Sequence, residues 1–185
     1  METFTSENCQ KKFMALRAKT QRIINKFDPA QREEAAIDAF NDICLDASKN
    51  DPIAQDYLAY IFKKGLRGII APNHEKYMQW QILAAANGNQ YSIDKLSLFL
   101  NFALTEVLSA EDVEYIIRRN NLTESNYQYV LGRLLCEGIA DELRLDPESL
   151  VKEPLMHKEF DPAVMRAFDR ARNFVIPKVL KFLRN

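Results

Sequence analysis

Metal sites and many catalytic sites use histidine, cysteine or carboxylate side chains that lie close together, and few such residues of this chain have the required spacing. The two histidines are His74 and His157. A metal or acid–base role for His74, beside Glu75, is the sharper hypothesis, but neither histidine has a second histidine or a cysteine at ligand spacing. We therefore interpret both as exposed residues, at a helix start and in a loop, and predict no metal site and no cofactor.

The three cysteines form no redox or metal motif. Cys9, Cys44 and Cys136 lie far apart and are odd in number, which is typical of free thiols in a reducing compartment. Cys136 adjoins Glu137, and a neighbouring negative charge raises the pKa of a thiol. A thiol in the core or in a groove is therefore favoured over a nucleophile.

Acidic pairs and glycines also lack a catalytic arrangement. Glu33-Glu34, Glu111-Asp112 and Asp141-Glu142 are adjacent residues in predicted helices, so their carboxylates point apart and form no dyad. The stretch from Gly65 to Gly68 is not a phosphate loop, because no Gly-Lys-Ser/Thr follows it. The sequence nominates no catalytic residue, and we predict that the protein is not an enzyme.

Composition and charge limit the classes of protein to which this chain can belong. The 185 residues are 47% apolar, enough for one sizeable core, and carry a net charge of −1. The polar N-terminus lacks the apolar region of a secretory signal, and no run of about 18 apolar residues occurs. We therefore expect a cytoplasmic protein without a transmembrane segment. Residues 1–27 and 161–185 each carry +4, which leaves −9 on residues 28–160 and favours a basic partner.

Helix signals run along the whole chain. Four Asp-Pro dipeptides each place an N-cap acid before a proline at the first helical position, where proline loses no hydrogen bond. These dipeptides are Asp28-Pro29, Asp51-Pro52, Asp146-Pro147 and Asp161-Pro162. Asn73 and Thr123 are further N-caps, Ser109 with Asp112 resembles a capping box, and three helices are predicted to end at Gly65, Gly88 and Gly138. The predicted helices span residues 7–27, 29–49, 52–64, 74–87, 90–104, 110–119, 124–137, 147–153 and 162–183.

A repeat runs through these helices. Leu58-Ala59, Leu96-Ser97 and Leu131-Gly132 each join a large residue to a small one, at intervals of 38 and 35 residues. Three positions after each small residue comes another large one, at Phe62, Leu100 and Leu135. A small residue at a fixed helix position lets the neighbouring helix approach closely, and a glycine at the helix end turns the chain back.

The pattern resembles the Sel-one-like repeat, a relative of the tetratricopeptide repeat, most clearly over residues 52–88. Ala59 stands where the family usually has glycine, and Tyr77 stands where it usually has alanine. The residues that the resemblance assigns to helix turning and packing are Leu58, Ala59, Gly65, Gly68, Trp80, Ala84, Ala85, Gly88, Leu131, Gly132 and Gly138.

The resemblance implies an all-α fold, a right-handed α-α superhelix that forms a short α-solenoid of antiparallel helix pairs. One unit cannot bury its own apolar face, so the copies must stack and the ends need caps. We predict a single domain over residues 1–185. It comprises an N-terminal capping helix over 1–27, degenerate repeats over 28–138, and C-terminal capping or docked helices over 139–185.

The resemblance also implies a protein–protein interaction module, such as an adaptor, a chaperone-like protein or an immunity-type binder. The partner would lie in a concave groove lined by the first helix of each repeat, and dimerisation through an exposed end of the array stays open. The predicted groove residues are Asp56, Tyr60, Lys63, Asp94, Leu98, Asn101, Tyr129 and Arg133, with Cys136 beside them.

The basic terminal segments support an alternative function. Residues 161–185 combine an apolar stripe that includes Val164, Phe168 and Val175 with Arg166 and Arg170 beside it. Such a helix can bind nucleic acid or an anionic membrane surface. It can also pack its stripe on the last repeat and set its arginines against the acidic middle, which is the interpretation we favour.

Overall fold

The computed structural model describes residues 5–66, 69–96, 109–119, 121 and 123–152, and within these ranges it is all-helical and contains no strand. An isolated bridge pairs Leu66 with Ile70. The all-α prediction is therefore confirmed for this part of the chain. The helices are α1 (Ser6–Asn25), α2 (Arg32–Ser48), α3 (Pro52–Lys64), α4 (His74–Ala86), α5 (90–96, where the described range ends), α6 (Ala110–Arg119), α7 (Glu124–Glu142) and α8 (Pro147–Lys152).

Side-chain caps start four of these helices, α3, α4, α7 and α8, where the sequence predicts them. The carboxylate of Asp51 accepts hydrogen bonds from the amides of Ile53 and Ala54 at 2.8 and 3.0 Å. Asn73 caps α4 and Thr123 caps α7 in the same way, through the amide three residues on. Asp146 accepts from the Ser149 amide at 2.9 Å at the start of α8. Each bond satisfies an orphan amide of the first helical turn.

The start of α2 and the end of α7 differ from the prediction. Helix α2 begins at Arg32 because the Asp28 carbonyl accepts from the amides of Gln31 and Arg32, which makes a separate turn before the helix. Helix α7 continues through Gly138 and ends where Arg144 takes a φ of +52°. Glycine permits a helix end but does not impose one. The prediction for 162–183, and the rest of 90–104, lie outside the described residues.

The residues assigned to helix packing lie in the core. Trp80 is 1% exposed, and Leu58, Ala59, Ala84 and Ala85 are all at 0%. Leu131 and Gly132 on α7 are buried as well. These side chains sit where α3 packs against α4 and α2, and where α4 packs against α7. The small residues therefore mark close helix contacts, as the sequence predicts.

Two glycines at the C-terminal ends of helices have a positive φ, which other residues rarely adopt. Gly65 has a φ of +78°, and a Cβ there would lie 2.9 Å from the Ile70 carbonyl oxygen. Gly88 has a φ of +88°, with the Tyr129 hydroxyl 3.1 Å from the Cβ position. Both helix ends predicted from these glycines are confirmed. Gly68 lies outside the described residues.

The N-terminal helix packs on α2 and α3 through a narrow stripe. Phe13, Thr20 and Ile24 are buried, as predicted. Ile23 and Phe27, which the sequence also places in the stripe, are 37% and 43% exposed. That part of the prediction is wrong: α1 ends at Asn25, so Phe27 lies beyond the helix.

The short helix α8 contacts α2, far before it in the chain. The ammonium of Lys76 on α4 donates a hydrogen bond to the Leu150 carbonyl at 3.1 Å, and Leu150 is buried. The second, fourth and eighth helices therefore meet. A superhelical arrangement of the helix pairs stays a prediction.

Candidate partner-binding surface

The face of α3 that the sequence predicts to line a groove is largely covered. Asp56, predicted to point outward, is 0% exposed, so its outward placement is wrong. Its Oδ1 accepts hydrogen bonds from Gln81 at 2.8 Å and Ser92 at 3.1 Å. The carboxylate is buried because α4 and α5 both pack over it.

Lys95 supplies the charge that balances this buried carboxylate. Its Nζ lies 2.8 Å from Oδ1 and 3.1 Å from Oδ2 of Asp56. The same ammonium lies 4.0 Å from the ring centre of Tyr91 and 5.1 Å from that of Phe13. Burying a carboxylate is costly unless it is paired and hydrogen-bonded, and all four residues of this Asp56 cluster (Asp56, Gln81, Ser92 and Lys95) contribute. The cluster fixes α3, α4 and α5 relative to one another.

Helix α1 covers the next position of the predicted groove. The Phe13 ring meets Tyr57 and Tyr60 edge-on, with centroids 5.5 and 5.6 Å apart, and lies 6.2 Å from Tyr91. The guanidinium of Arg17, one helical turn later, lies 4.9 Å from the centre of the Tyr60 ring. We call Phe13, Tyr57, Tyr60 and Tyr91 the aromatic junction. A basic amphipathic helix, the chain's own α1, thus rests on α3 and α5.

The remaining predicted groove residues are more accessible. Lys63 is exposed, with its ammonium 5.0 Å from the Tyr77 ring centre, and Asp94 is exposed and accepts from Gln90 on its own helix. Arg133 is exposed and pairs with Glu137 at 2.8 Å.

Tyr129 is half-buried, and its hydroxyl donates to the Gly88 carbonyl at 3.4 Å. Leu98 and Asn101 lie outside the described residues. Partner binding by this set of residues stays a prediction.

The thiols are placed for packing. Burial raises the pKa of Cys44 to about 12, and burial together with the Glu137 charge raises that of Cys136 to about 12. Burial also raises the pKa of Cys9, although backbone amides of Gln90 and Tyr91 at the start of α5 act against it. Cys136 is 0% exposed, so its predicted place beside the groove is wrong. Thiols with such pKa values stay protonated at neutral pH.

A metal site and a membrane-spanning helix are both absent from the described residues. Among them, no group of three or more histidine, cysteine or carboxylate residues is placed to hold a metal ion. His74 is exposed and its ring lies 5.9 Å from that of Tyr77. No helix within the described ranges has the length and apolar character needed to cross a membrane.

Helix α1 and Lys95 were not among the predicted groove residues. The Phe13 stripe predicts only that α1 is amphipathic, and Lys95 resembles any surface lysine. A signal was present in Phe13 and Arg17, an aromatic residue followed one turn later by a cation. No protein-family model, curated protein or solved structure matches this chain.

Proposed function

We propose that the protein is a protein–protein interaction module that holds a helical segment of a partner against α3 and α5, in the place that α1 takes in the isolated chain. The observation that carries this proposal is the seating of Phe13 in the aromatic junction. A surface that accepts one basic amphipathic helix has the shape and chemistry to accept another. The resemblance of residues 52–88 to a repeat of protein-binding solenoids supports the same function.

The contacts of α1 define the chemistry of the partner. Edge-on aromatic pairs contribute about 0.5–1.5 kcal/mol each beyond the apolar area that they bury. A cation over an exposed aromatic ring adds about 0.5–1 kcal/mol. A partner helix with an aromatic residue and, four positions later, an arginine would reproduce the contacts of Phe13 and Arg17. This spacing places both side chains on one helical face.

The attachment of α1 is compatible with exchange. Of its 20 residues, only Cys9, Phe13, Thr20 and Ile24 are buried. The segment 26–31 joins it to α2 without a helix. Most of the binding free energy of α1 therefore depends on a few side chains, and Phe13 is the largest of them.

The test uses the full chain with Phe13→Ala, which keeps α1 covalently attached but removes its anchor. A fluorescent peptide of residues 5–27 should bind this variant and show little binding to the unaltered protein. The matched control is the same peptide with Phe13→Ala, which should not bind. Adding Tyr60→Ala to the variant should abolish peptide binding. Far-UV circular dichroism verifies that the variants keep the helix content of the unaltered protein.

The same variants test the biological function in a lysate of the native cell. A partner protein should be captured more strongly by the Phe13→Ala variant and lost when Tyr60→Ala is added. Equal capture of the partner by the unaltered protein, by the Phe13→Ala variant and by the variant with both Phe13→Ala and Tyr60→Ala would show that the partner binds elsewhere. Recovery of nucleic acid or anionic lipid with no bound protein would overturn the proposal and favour the alternative drawn from the basic terminal segments.

A further inference from the structure

Lys95 places a positive charge against the ring that anchors α1. Its ammonium lies over the Phe13 ring, 5.1 Å from the ring centre, and over the Tyr91 ring at 4.0 Å. Both carboxylate oxygens of Asp56 hold the same ammonium, at 2.8 and 3.1 Å. The cation is therefore fixed by residues of α3 and α5, and α1 contributes the Phe13 ring that lies against it.

The surroundings of this ammonium strengthen its attraction to an aromatic ring. The Lys95 side chain is 27% exposed and that of Asp56 is fully buried, so the cation is partly shielded from water. The face of an aromatic ring carries negative charge from its π electrons, whereas a leucine or cyclohexyl side chain carries none. An aliphatic anchor of equal size would remove water from the ammonium and return no such attraction.

Two kinds of contact thus hold the Phe13 ring. Tyr57 and Tyr60 meet it edge-on and bury apolar area with it. The ammonium of Lys95 meets it as a charge. Fluorine atoms on the ring distinguish the two kinds, because they withdraw negative charge from the ring face and keep its apolar area. Attraction to a cation weakens with each fluorine, and burial of apolar area does not.

We infer that Lys95 selects an aromatic anchor in the partner helix over an aliphatic side chain of the same size. Asp56 acts through Lys95 as a positioning residue, because it holds the ammonium over the anchor ring. The inference rests on the proposed function, since it concerns the residue that takes the place of Phe13. It defines the partner as a helix that presents an aromatic residue, and not leucine, to the aromatic junction.

Peptides that differ in the anchor alone test this selection. The protein is the full chain with Phe13→Ala, and each peptide is a fluorescent copy of residues 5–27. Replacing Phe13 of the peptide with cyclohexylalanine, which has more apolar area, should weaken binding about 2–5-fold, the contribution of one cation–π contact. Mono-, di- and trifluorophenylalanine should weaken it stepwise. The same replacements at Phe27, which lies beyond the end of α1, should leave the affinity unchanged.

Removal of the charge from the protein assigns the effect to Lys95. The matched protein carries Phe13→Ala, Lys95→Met and Asp56→Asn, so that a neutral pair replaces the ion pair. Its loss of affinity on fluorination of the peptide should be smaller than that of the Phe13→Ala protein, since the tyrosine contacts alone remain. An equal loss in both proteins would overturn the role of Lys95 and assign the preference to the tyrosines.

A second readout leaves Lys95 unchanged. The ε-methylene protons of Lys95 experience the ring current of an aromatic anchor that lies over the ammonium. In the Phe13→Ala protein, their NMR signals should move upfield when the phenylalanine peptide binds and stay in place when the cyclohexylalanine peptide binds. Binding of the phenylalanine peptide without this shift would overturn the inference, whether or not the protein with the neutral pair folds.

Failure of this inference is distinct from failure of the proposed function. If the unmodified peptide binds the Phe13→Ala protein and neither fluorine nor cyclohexylalanine lowers the affinity, the proposed function stands and selection by Lys95 is overturned. Absence of binding by every peptide overturns both, because no second helix then takes the place of α1.

Discussion

Replacing Lys95 with methionine removes the charge that balances Asp56 and keeps a long apolar side chain in its place. Asp56 would remain buried, with Gln81 and Ser92 as its hydrogen-bond donors and no cation beside it. Breaking a buried ion pair by removing one partner costs about 3–5 kcal/mol, because the remaining charge is uncompensated. Lys95 retains 27% side-chain exposure, so we expect the lower end, about 3 kcal/mol.

The assay is chemical denaturation at pH 7, supported by a thermal melt. For a chain of this length, about 3 kcal/mol corresponds to a fall in Tm of roughly 6–12 °C. Lys63→Met is the matched control, since Lys63 also lies over a tyrosine ring but has no ion-pair partner among the described residues. We expect it to cost less than about 1 kcal/mol.

A double-mutant cycle isolates the interaction of the pair. Asp56→Asn with Lys95→Met should cost less than the sum of the two single changes, by about 1–3 kcal/mol, because the neutral amide no longer needs a cation. If Lys95→Met cost no more than Lys63→Met, or if the two single changes were simply additive, the conclusion that this ion pair stabilises the junction of α3, α4 and α5 would be wrong.

Three other predictions concern the thiols and the helix ends. Burial raises the pKa of all three thiols, Cys9, Cys44 and Cys136. Unfolded thiols ionise near pH 8.5, so the free energy of unfolding should fall as the pH rises above about 8.5, and a thiol reagent should react only after denaturant is added. Asp51→Ala should lower the free energy of unfolding by about 1 kcal/mol through loss of the α3 cap, and Asp28→Ala, which removes no helix cap, should lower it much less. Gly88→Ala should destabilise the fold by about 1–2 kcal/mol, because it places a side chain at a positive φ. Arg144→Gly should stabilise the fold by roughly 0.5–1 kcal/mol, because it removes a side chain from a positive φ. Denaturant titrations that gave the opposite signs would contradict this reasoning.

Local chemistry made the helix starts predictable. Asp51, Asn73 and Thr123 act on amides two or three residues away, so the residue type and its place before an apolar run are enough to identify them. The end of α7 was not predictable from Gly138, because a glycine inside a helix and a glycine at its end have the same local sequence. Arginine disfavours a positive φ, so nothing in the sequence indicated that α7 ends near Arg144.

The candidate site was harder to predict because its members meet through tertiary contacts. The repeat predicts that Asp56 points outward into a groove, but the side chain is buried. Its burial depends on Gln81, 25 residues later, and on Lys95, 39 residues later. No local rule connects such distant residues. The small residues of α3 and α4 were predictable, because close packing between two adjacent helices needs them whatever else the chain does.

The contact between α8 and α2 has a consequence for how the chain unfolds. Helices that touch only their neighbours in sequence can melt one after another from either end. Here the hydrogen bond from Lys76 to Leu150 joins residues 74 positions apart, and α8 rests against the second helix. Unfolding of α8 would expose part of the second and fourth helices, so we expect the described helices to melt in a single cooperative transition. The long loop that must close before these contacts form should also make refolding slow for an all-helical chain.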